Sequence, residues 1–223
     1  MKVVISLGGS VINPGEPDVE FVKKICSLLF KMSKKVDLLI VCGGGSAARA
    51  YANAIAKFGN NFLADQAAVL ATHQNAILVS AALENSVFCR DFESAKNVSD
   101  AGKIAVMGGT IPGITTDDDA ILLAELVGAK RLVNLTNVDA IYDSDPKKNP
   151  KAKKFSKMKH GELVNLAIEG DKRKAGEHFI FTLLACKLAA RSNIELHFVN
   201  GRNLKDVEAA ILGKKHGGTV VAN

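Results

Sequence analysis

Three clusters of glycine and small polar residues are the places in this sequence where chemistry is most easily imagined. They are Gly8-Gly9-Ser10, Gly43-Gly44-Gly45-Ser46 and Gly108-Gly109-Thr110, and each directly follows a short apolar run typical of a buried strand. Because glycine has no Cβ, backbone N–H groups in such loops can approach an anion closely, and a following helix adds the positive end of its dipole. A tight turn would explain any one cluster, but the three together predict a site that binds several phosphates.

The spacing of these glycines excludes the commoner nucleotide-binding motifs. The chain contains no G-x-x-x-x-G-K-[ST], and no G-x-G-x-x-G follows its first apolar run. A phosphate site of a different design is therefore expected.

The third cluster continues through Ile111, Pro112, Gly113 and Ile114 into Thr115-Thr116 and three aspartates, followed by an apolar helical stretch. Threonine before a helix and acids in its first turn are ordinary helix-start chemistry, so the aspartates are interpreted as capping rather than catalytic. The threonine hydroxyls and the preceding amides could instead hold the phosphate of an acceptor.

A fourth polar loop runs from Thr136 and Asn137 to Tyr142 and Asp145, after the apolar run 131–135. Tyr142 is its one aromatic residue, and its ring could either stack on a base or pack beneath the loop.

Apolar runs alternate with stretches of helical periodicity along most of the chain, which predicts an α/β fold, a three-layer α/β/α sandwich around a mainly parallel sheet. In such a sheet the strand C-terminal ends share one edge, so the glycine loops should line a common crevice. The amino-acid composition changes near residue 130, where lysine-rich loops begin, which suggests one domain with two lobes, 1–130 and 131–223. The predicted strands are 2–7, 37–42, 103–107, 131–135 and 195–199, and the predicted helices lie within 19–29, 47–58, 65–83, 117–127, 181–191 and 204–212.

Composition narrows the class of protein further. The 223 residues are 48% hydrophobic, but no apolar stretch reaches the about 18 to 20 residues of a membrane span, so a soluble protein without a membrane role is expected. The five histidines are scattered without ligand spacing, so no structural metal is expected. The cysteines form no C-x-x-C pair and lie mostly in apolar segments, which indicates reduced core residues in a cytoplasmic protein; they are Cys26, Cys42, Cys89 and Cys186.

The net charge of +6 comes from one segment, because seven lysines and no acid lie from Lys147 to Lys159. The rest of the chain has a net charge of about −1 (6 minus 7). Aromatic residues make up only 5% of the chain and tryptophan is absent, so a nucleic-acid partner is not expected. The lysine run is interpreted as a solvated loop.

Together these segments resemble the archaeal-type UMP kinases of the amino acid kinase family. The resemblance rests on GGS after the first strand, GGG-x-x-x-R after the second, MGGT-x-PG-x-TTD, and TNVD-x-x-Y-x-x-DP, and it continues to ARS-x-I and the final GT at 218–219. It implies an enzyme in which ATP and UMP meet head to head across the glycine-rich edge, so that transfer of the γ-phosphate gives UDP.

The resemblance also implies residue roles. Gly8, Gly9, Ser10, Gly45 and Arg49 would approach the ATP phosphates, with Gly9, Ser10 and Arg49 the catalytic set. Thr136, Asn137, Tyr142 and Asp145 would line the ATP pocket, in the lobe 131–223. The lobe 1–130 would bind UMP through Gly44, Asp65 and the loop Thr110, Ile111, Pro112, Gly113, Ile114, Thr115 and Thr116. Mg²⁺ would be held mainly by the ATP phosphates, with no protein metal site. A homo-oligomer, a hexamer assembled from dimers, is also implied, with the apolar 65–83 helix as a possible contact.

Some positions depart from the family pattern, and two alternatives follow from them. Ser6 stands where many relatives have lysine, Ser46 follows the glycine triplet, Ala68 replaces a glycine and Thr182 stands where an Asp or Lys is usual. Asp65 is expected to accept a ribose hydroxyl or, alternatively, only to cap its helix. The chain could be a relative with another acceptor, such as isopentenyl phosphate, acetylglutamate or carbamate, or a nucleotide-binding protein with impaired catalysis.

Overall fold

A computed structural model describes residues 1–144, 146, 149–171 and 181–223. Its strands are β1 (Lys2–Leu7), β2 (Asp37–Cys42), β3 (Ser86–Cys89), β4 (Ile104–Met107), β5 (Arg131–Thr136), β6 (Ile141–Tyr142), β7 (Lys154–Phe155), β8 (Lys157–Met158), β9 (Glu195–Asn200) and β10 (Thr219–Val221). Its helices are α1 (Gly9–Ile12), α2 (Val19–Ser33), α3 (Gly45–Ile55), α4 (Asn61–Ala82), α5 (Phe92–Asp100), α6 (Thr116–Val127), α7 (His160–Asp171), α8 (Leu183–Ser192) and α9 (Leu204–Ile211).

Eight strands form one sheet in the order β3-β4-β2-β1-β5-β9-β10-β8, and β6 pairs with β7 in a separate two-stranded ribbon. β3, β4, β2, β1, β5 and β9 all run parallel, so their C-terminal ends lie on the same edge. Only β10 reverses direction against its neighbour β9 among the paired strands of this sheet that the structure describes. The prediction of a mainly parallel α/β/α sandwich is confirmed.

Helices cover both faces of the sheet because alternate residues of each central strand point to opposite sides. Val4 of β1 belongs to the core beneath α5, α6 and α8, whereas Val3 and Ile5 belong to the core beneath α2, α4 and α9. Burial on both sides explains the near-continuous apolar runs of these strands. The sheet divides at the β1–β5 pair: strands from residues 2–107 lie on one side and strands from residues 131–221 on the other.

The strands predicted at 2–7 and 37–42 have the observed bounds, and the other predicted strands differ from theirs by one residue at one end. The helix predicted at 65–83 begins earlier, at Asn61, because Asn60 caps it by accepting a hydrogen bond from the backbone of Leu63. The elements that were not predicted are α1, β3, α5, β6, β7, β8, α7 and β10.

All four cysteines are buried and free, as predicted. The described lysines of the 147–159 run are exposed, as predicted. The prediction that the run is all loop is wrong, because Lys154–Phe155 forms β7 and Lys157–Met158 forms β8 at the edge of the main sheet. None of the helices in the described ranges is long and apolar enough to cross a membrane.

Candidate active site

Four loops meet where β4, β2, β1 and β5 end, side by side on the parallel edge. They are the three glycine clusters and the polar loop that begins at Thr136. The strand order reverses between β1 and β5, since the chain builds the sheet outward on one side of β1 and then returns to its other side. In open parallel sheets, the crevice at such a reversal is where ligands bind.

The first two loops interlock through backbone atoms. A Cβ on Gly9 would lie 2.0 Å from the amide nitrogen of Gly45, and a Cβ on Gly43 would lie 2.5 Å from the nitrogen of Gly9. Gly45 also has φ +66°, a conformation that side chains rarely adopt. Backbone hydrogen bonds from Gly8 to Leu135 at 2.8 Å and from Gly43 to Leu7 at 2.9 Å join the loops to neighbouring strands. The glycines are therefore required for this close approach.

The residues predicted at the ATP phosphates lie on the helices that follow these loops. Gly8, Gly9 and half-buried Ser10 form the turn into α1, and Arg49 lies exposed on the second turn of α3. Arg49 has no ion-pair partner in the described part of the chain, so its guanidinium is available to a ligand. The hydroxyl of Ser46, by contrast, is already hydrogen-bonded within the protein, since its Oγ donates to Asn13 Oδ1 at 2.5 Å.

One face of α4 supports the loops from behind, a role that sequence analysis did not assign. Thr72 Oγ1 accepts a hydrogen bond from the backbone N–H of Gly109 at 2.7 Å, and Asn75 Nδ2 donates to the carbonyl of Gly43 at 2.7 Å. His73 Nε2 lies 2.8 Å from the Gly109 carbonyl, a bond that requires the proton on Nε2. The spacing of Thr72 and Asn75 on one helical face was the available signal.

The loop 110–116 is held at three points. Thr110 donates to Asp119 from both its backbone nitrogen and its hydroxyl, and the Gly113 N–H donates to Asp65 Oδ2 at 3.1 Å. Thr115 is the N-cap of α6 and forms a capping box with Asp118. Thr115 thus caps its helix as predicted, whereas Asp65 is in the second turn of α4 and not at its cap, so the capping alternative for Asp65 is wrong.

Two of the three aspartates that follow are fully enclosed. Asp118 and Asp119 are 2% and 0% exposed, and burial raises the pKa of the Asp119 carboxyl to about 6, against the lowering effect of its hydrogen bonds from Thr110. Asp118 also accepts a hydrogen bond from the hydroxyl of Thr182, the N-cap of α8. The Asp118 carboxylate therefore connects the loop 110–116 to the start of α8.

Asp117, the remaining aspartate, joins the central strands. Its Oδ1 accepts hydrogen bonds from Ser6 Oγ on β1 and from Asn134 Nδ2 on β5, both at 2.8 Å. Ser6 is 2% exposed, so this departure from the family pattern gives a buried polar contact beneath the crevice.

The polar loop after β5 is arranged around its own side chains. Thr136 Oγ1 exchanges hydrogen bonds with the backbone of Val138, and Asn137 is exposed. The half-buried Tyr142 donates its hydroxyl to Asp139 at 2.8 Å, and this bond raises the pKa of the phenol. Asp145, predicted in the same pocket, lies outside the described residues.

This edge offers backbone amides, hydroxyls and a helix start to an anion, with Arg49 as a cation beside them, and such a set can bind and orient phosphates.

The sequence model described as the amino acid kinase family matches residues 1–200. The chain belongs to the amino acid kinase family. Among family members, the uridylate kinase of Thermococcus onnurineus (strain NA1) is 41% identical over 225 residues, which cover 99% of each chain.

Two further relatives agree with this assignment to the amino acid kinase family. The uridylate kinase of Pyrococcus abyssi (strain GE5 / Orsay) is 40% identical over 224 residues, again 99% of each chain. The crystal structure of uridylate kinase from Archaeoglobus fulgidus superposes with a TM-score of 0.88 at 33% identity and covers 100% of both chains.

Proposed function

We propose that this chain is a uridylate kinase that transfers the γ-phosphate of ATP to the phosphate of UMP, giving ADP and UDP. The observation that carries the proposal is the convergence of three glycine loops and the Thr115–Thr116 helix start on one edge, at the reversal of strand order. Full-length similarity to proteins named uridylate kinase, at about 40% identity, supports UMP as the acceptor.

The two substrates would approach from opposite sides of the β1–β5 junction. We assign Gly8, Gly9, Ser10, Gly45 and Arg49 to the ATP phosphates, and the loop Thr136, Asn137, Tyr142 and Asp145 to the rest of ATP. Gly44, Asp65 and residues 110–116 would hold UMP, with the exposed Asp65 carboxylate accepting a ribose hydroxyl. The lobe 1–130 then binds the acceptor and the lobe 131–223 binds ATP.

The reaction asks little covalent chemistry of the protein. Phosphoryl transfer passes through a loose transition state that positioned amides and cations stabilise, and the attacking phosphate oxygen of UMP is already ionised, so no general base is required. Mg²⁺, which neutralises phosphate charge when bound, would be held by ATP phosphates and waters, as this ion generally is.

A kinase with another acceptor is less well supported, because relatives matched over their full length are named uridylate kinase. Impaired catalysis was suggested by Ser6, Ser46, Ala68 and Thr182. Three of these side chains make specific hydrogen bonds in the site, which supports a modified rather than a degraded centre.

We further propose a cytoplasmic homo-oligomer. Four free, buried thiols suit a reducing compartment. The exposed apolar residues of α4 support self-association, and the family resemblance suggests a hexamer assembled from dimers.

The function is tested with purified protein, ATP and Mg²⁺, by following ADP release with UMP, CMP, dUMP or no acceptor, and by identifying the product. We expect UDP formation with UMP as the preferred acceptor. If the protein phosphorylates a different acceptor, it is still a kinase, but UMP is not its substrate. Binding of ATP and UMP without turnover would contradict the proposed activity and favour the impaired alternative.

A further inference from the structure

Asp119 is a buried carboxylate that the proposed reaction does not use directly. It lies in the first turn of α6 and is 0% exposed. Thr110, the first residue of the acceptor loop 110–116, donates to both of its oxygens, from Oγ1 to Oδ1 at 2.6 Å and from the backbone nitrogen to Oδ2 at 3.2 Å. The pair therefore joins the start of the loop to the helix at its end.

The location of Asp119 is unfavourable for an ionised group, because burial there raises its pKa to about 6 and the neighbouring Asp118 adds to the effect. The titratable groups on the facing helix α4 are Asp65, whose Oδ2 accepts from the Gly113 N–H, and His73, which contacts the Gly109 carbonyl. An apolar side chain would avoid the desolvation cost of an acid at this position. What Asp119 provides in return is the fixed position of Thr110.

The hydrogen bonds also determine which loop amides remain for a ligand. The N–H groups of Thr110, Gly113 and Thr115 donate to Asp119, Asp65 and Asp118 respectively. Within the described residues, the N–H groups of Ile111, Ile114 and Thr116 have no protein acceptor, and Pro112 has no N–H to offer. The donors left for an acceptor phosphate thus lie between the fixed points of the loop and at the helix start that follows Thr115.

We propose that Asp119 is a positioning residue for the acceptor: by holding Thr110, it orients the free amides of the loop toward the phosphate of the nucleoside monophosphate. This inference rests on the proposed function. It assigns Thr110 an indirect role, since both of its donors are already bonded to Asp119.

The test compares Asp119→Ala, Thr110→Val and the double variant, with Asp119→Asn as a variant of nearly unchanged shape that removes the buried charge. Steady-state kinetics at a fixed pH near 8 keeps UMP fully ionised, because the second ionisation of a phosphomonoester lies near pH 6. We expect KM for UMP to rise at least about 10-fold in both single variants, with KM for ATP and kcat within about 3-fold of wild type. KM for UMP in the double variant should equal that of the single variant with the larger increase, since both substitutions remove the same contact.

Asp91→Ala is the control, because Asp91 is also a hydrogen-bonded aspartate at a helix start, as the N-cap of α5, and accepts from the backbone of Ser94 in its own helix. This variant should lose a carboxylate at a helix start without changing KM for UMP. A single variant with unchanged KM for UMP, equal increases in both KM values, or fully additive effects in the double variant would overturn the inference. If Asp119→Ala does not fold, Asp119→Asn and Thr110→Val decide in the same way. Absence of UDP formation by wild type would instead contradict the proposed function.

Discussion

Arg49 is the cation that α3 brings to the glycine-lined edge, and its exposed guanidinium has no ion-pair partner in the described ranges. Replacement by alanine should lower kcat at least about 100-fold, the usual cost of losing one electrostatic stabiliser of a transition state. Arg191→Ala is the control, because Arg191 pairs with Glu125 near the end of α8 and should change kcat less than about 2-fold. Equal kcat values for wild type and Arg49→Ala would remove Arg49 from the catalytic set.

Asp119 also predicts a pH dependence of stability. Its pKa is raised from 3.8 to about 6 in the folded protein, so between these values the folded state holds more protons than the unfolded state and the unfolding free energy falls as pH rises. Asp119→Asn does not titrate. At 1.36 kcal/mol per pKa unit, the variant should gain up to about 3 kcal/mol relative to wild type between about pH 4 and about pH 7.

Urea unfolding of both proteins across this pH range measures the effect. Asp91→Asn serves as a control of opposite sign, because hydrogen bonds from the Ser94 backbone lower the pKa of Asp91 and make its ionised form stabilising. A difference between wild type and Asp119→Asn that is independent of pH would mean that the Asp119 pKa is not raised.

At the scale of single residues, the sequence predicted the groups that act on their immediate neighbours. It missed the groups whose contacts depend on the path of a loop. The glycines and the Thr115 cap were recognisable from their immediate neighbours. The Asp119–Thr110 pair was not, because acids in a first helical turn have the same pattern whether they face solvent or a loop that folds back.

At the scale of elements, the contact between the β1 and β2 loops sets the geometry of the phosphate site. Gly9→Ala should destabilise the fold by at least about 2 kcal/mol and abolish measurable turnover, since the new Cβ would meet backbone atoms of Gly45 that cannot move aside cheaply. Gly15→Ala is the control, because a Cβ at Gly15 meets nothing within 4 Å. Thermal melts and the UDP assay on both variants measure this, and a Gly9→Ala protein with wild-type activity would contradict the interlocked geometry.

The central strands were predictable because burial on both faces makes their apolar runs continuous. β3 was missed because three of its four residues are only half-buried at the edge of the sheet, and β10 because three residues carry too little pattern. The antiparallel direction of β10 depends on the chain after α9 and has no signature in the strand itself.

At the scale of the whole molecule, α4 presents an apolar surface that nothing in the described chain covers. Leu63, Leu70 and Ile77 are 46%, 61% and 51% exposed and recur every seven residues, which places them along one side of the helix. Leu70 lies midway between the other two, so two copies of α4 packed antiparallel about Leu70 would match Leu63 with Ile77. This self-complementarity, in a helix whose only acidic or basic residues are Asp65 and His73, points to a second copy of the same chain.

Leu70→Glu should therefore break the proposed homo-oligomer, because two carboxylates would face each other across an apolar contact. Light scattering is expected to give wild type a mass that is a multiple of 23.6 kDa and the variant a smaller multiple. Val19→Glu, at an exposed position of α2 that is 50% accessible, should keep the wild-type mass. Because the predicted site lies within one chain, Leu70→Glu should retain UDP formation if the protein stays folded. A monomeric wild type, or an unchanged mass for Leu70→Glu, would show that this face of α4 does not pair.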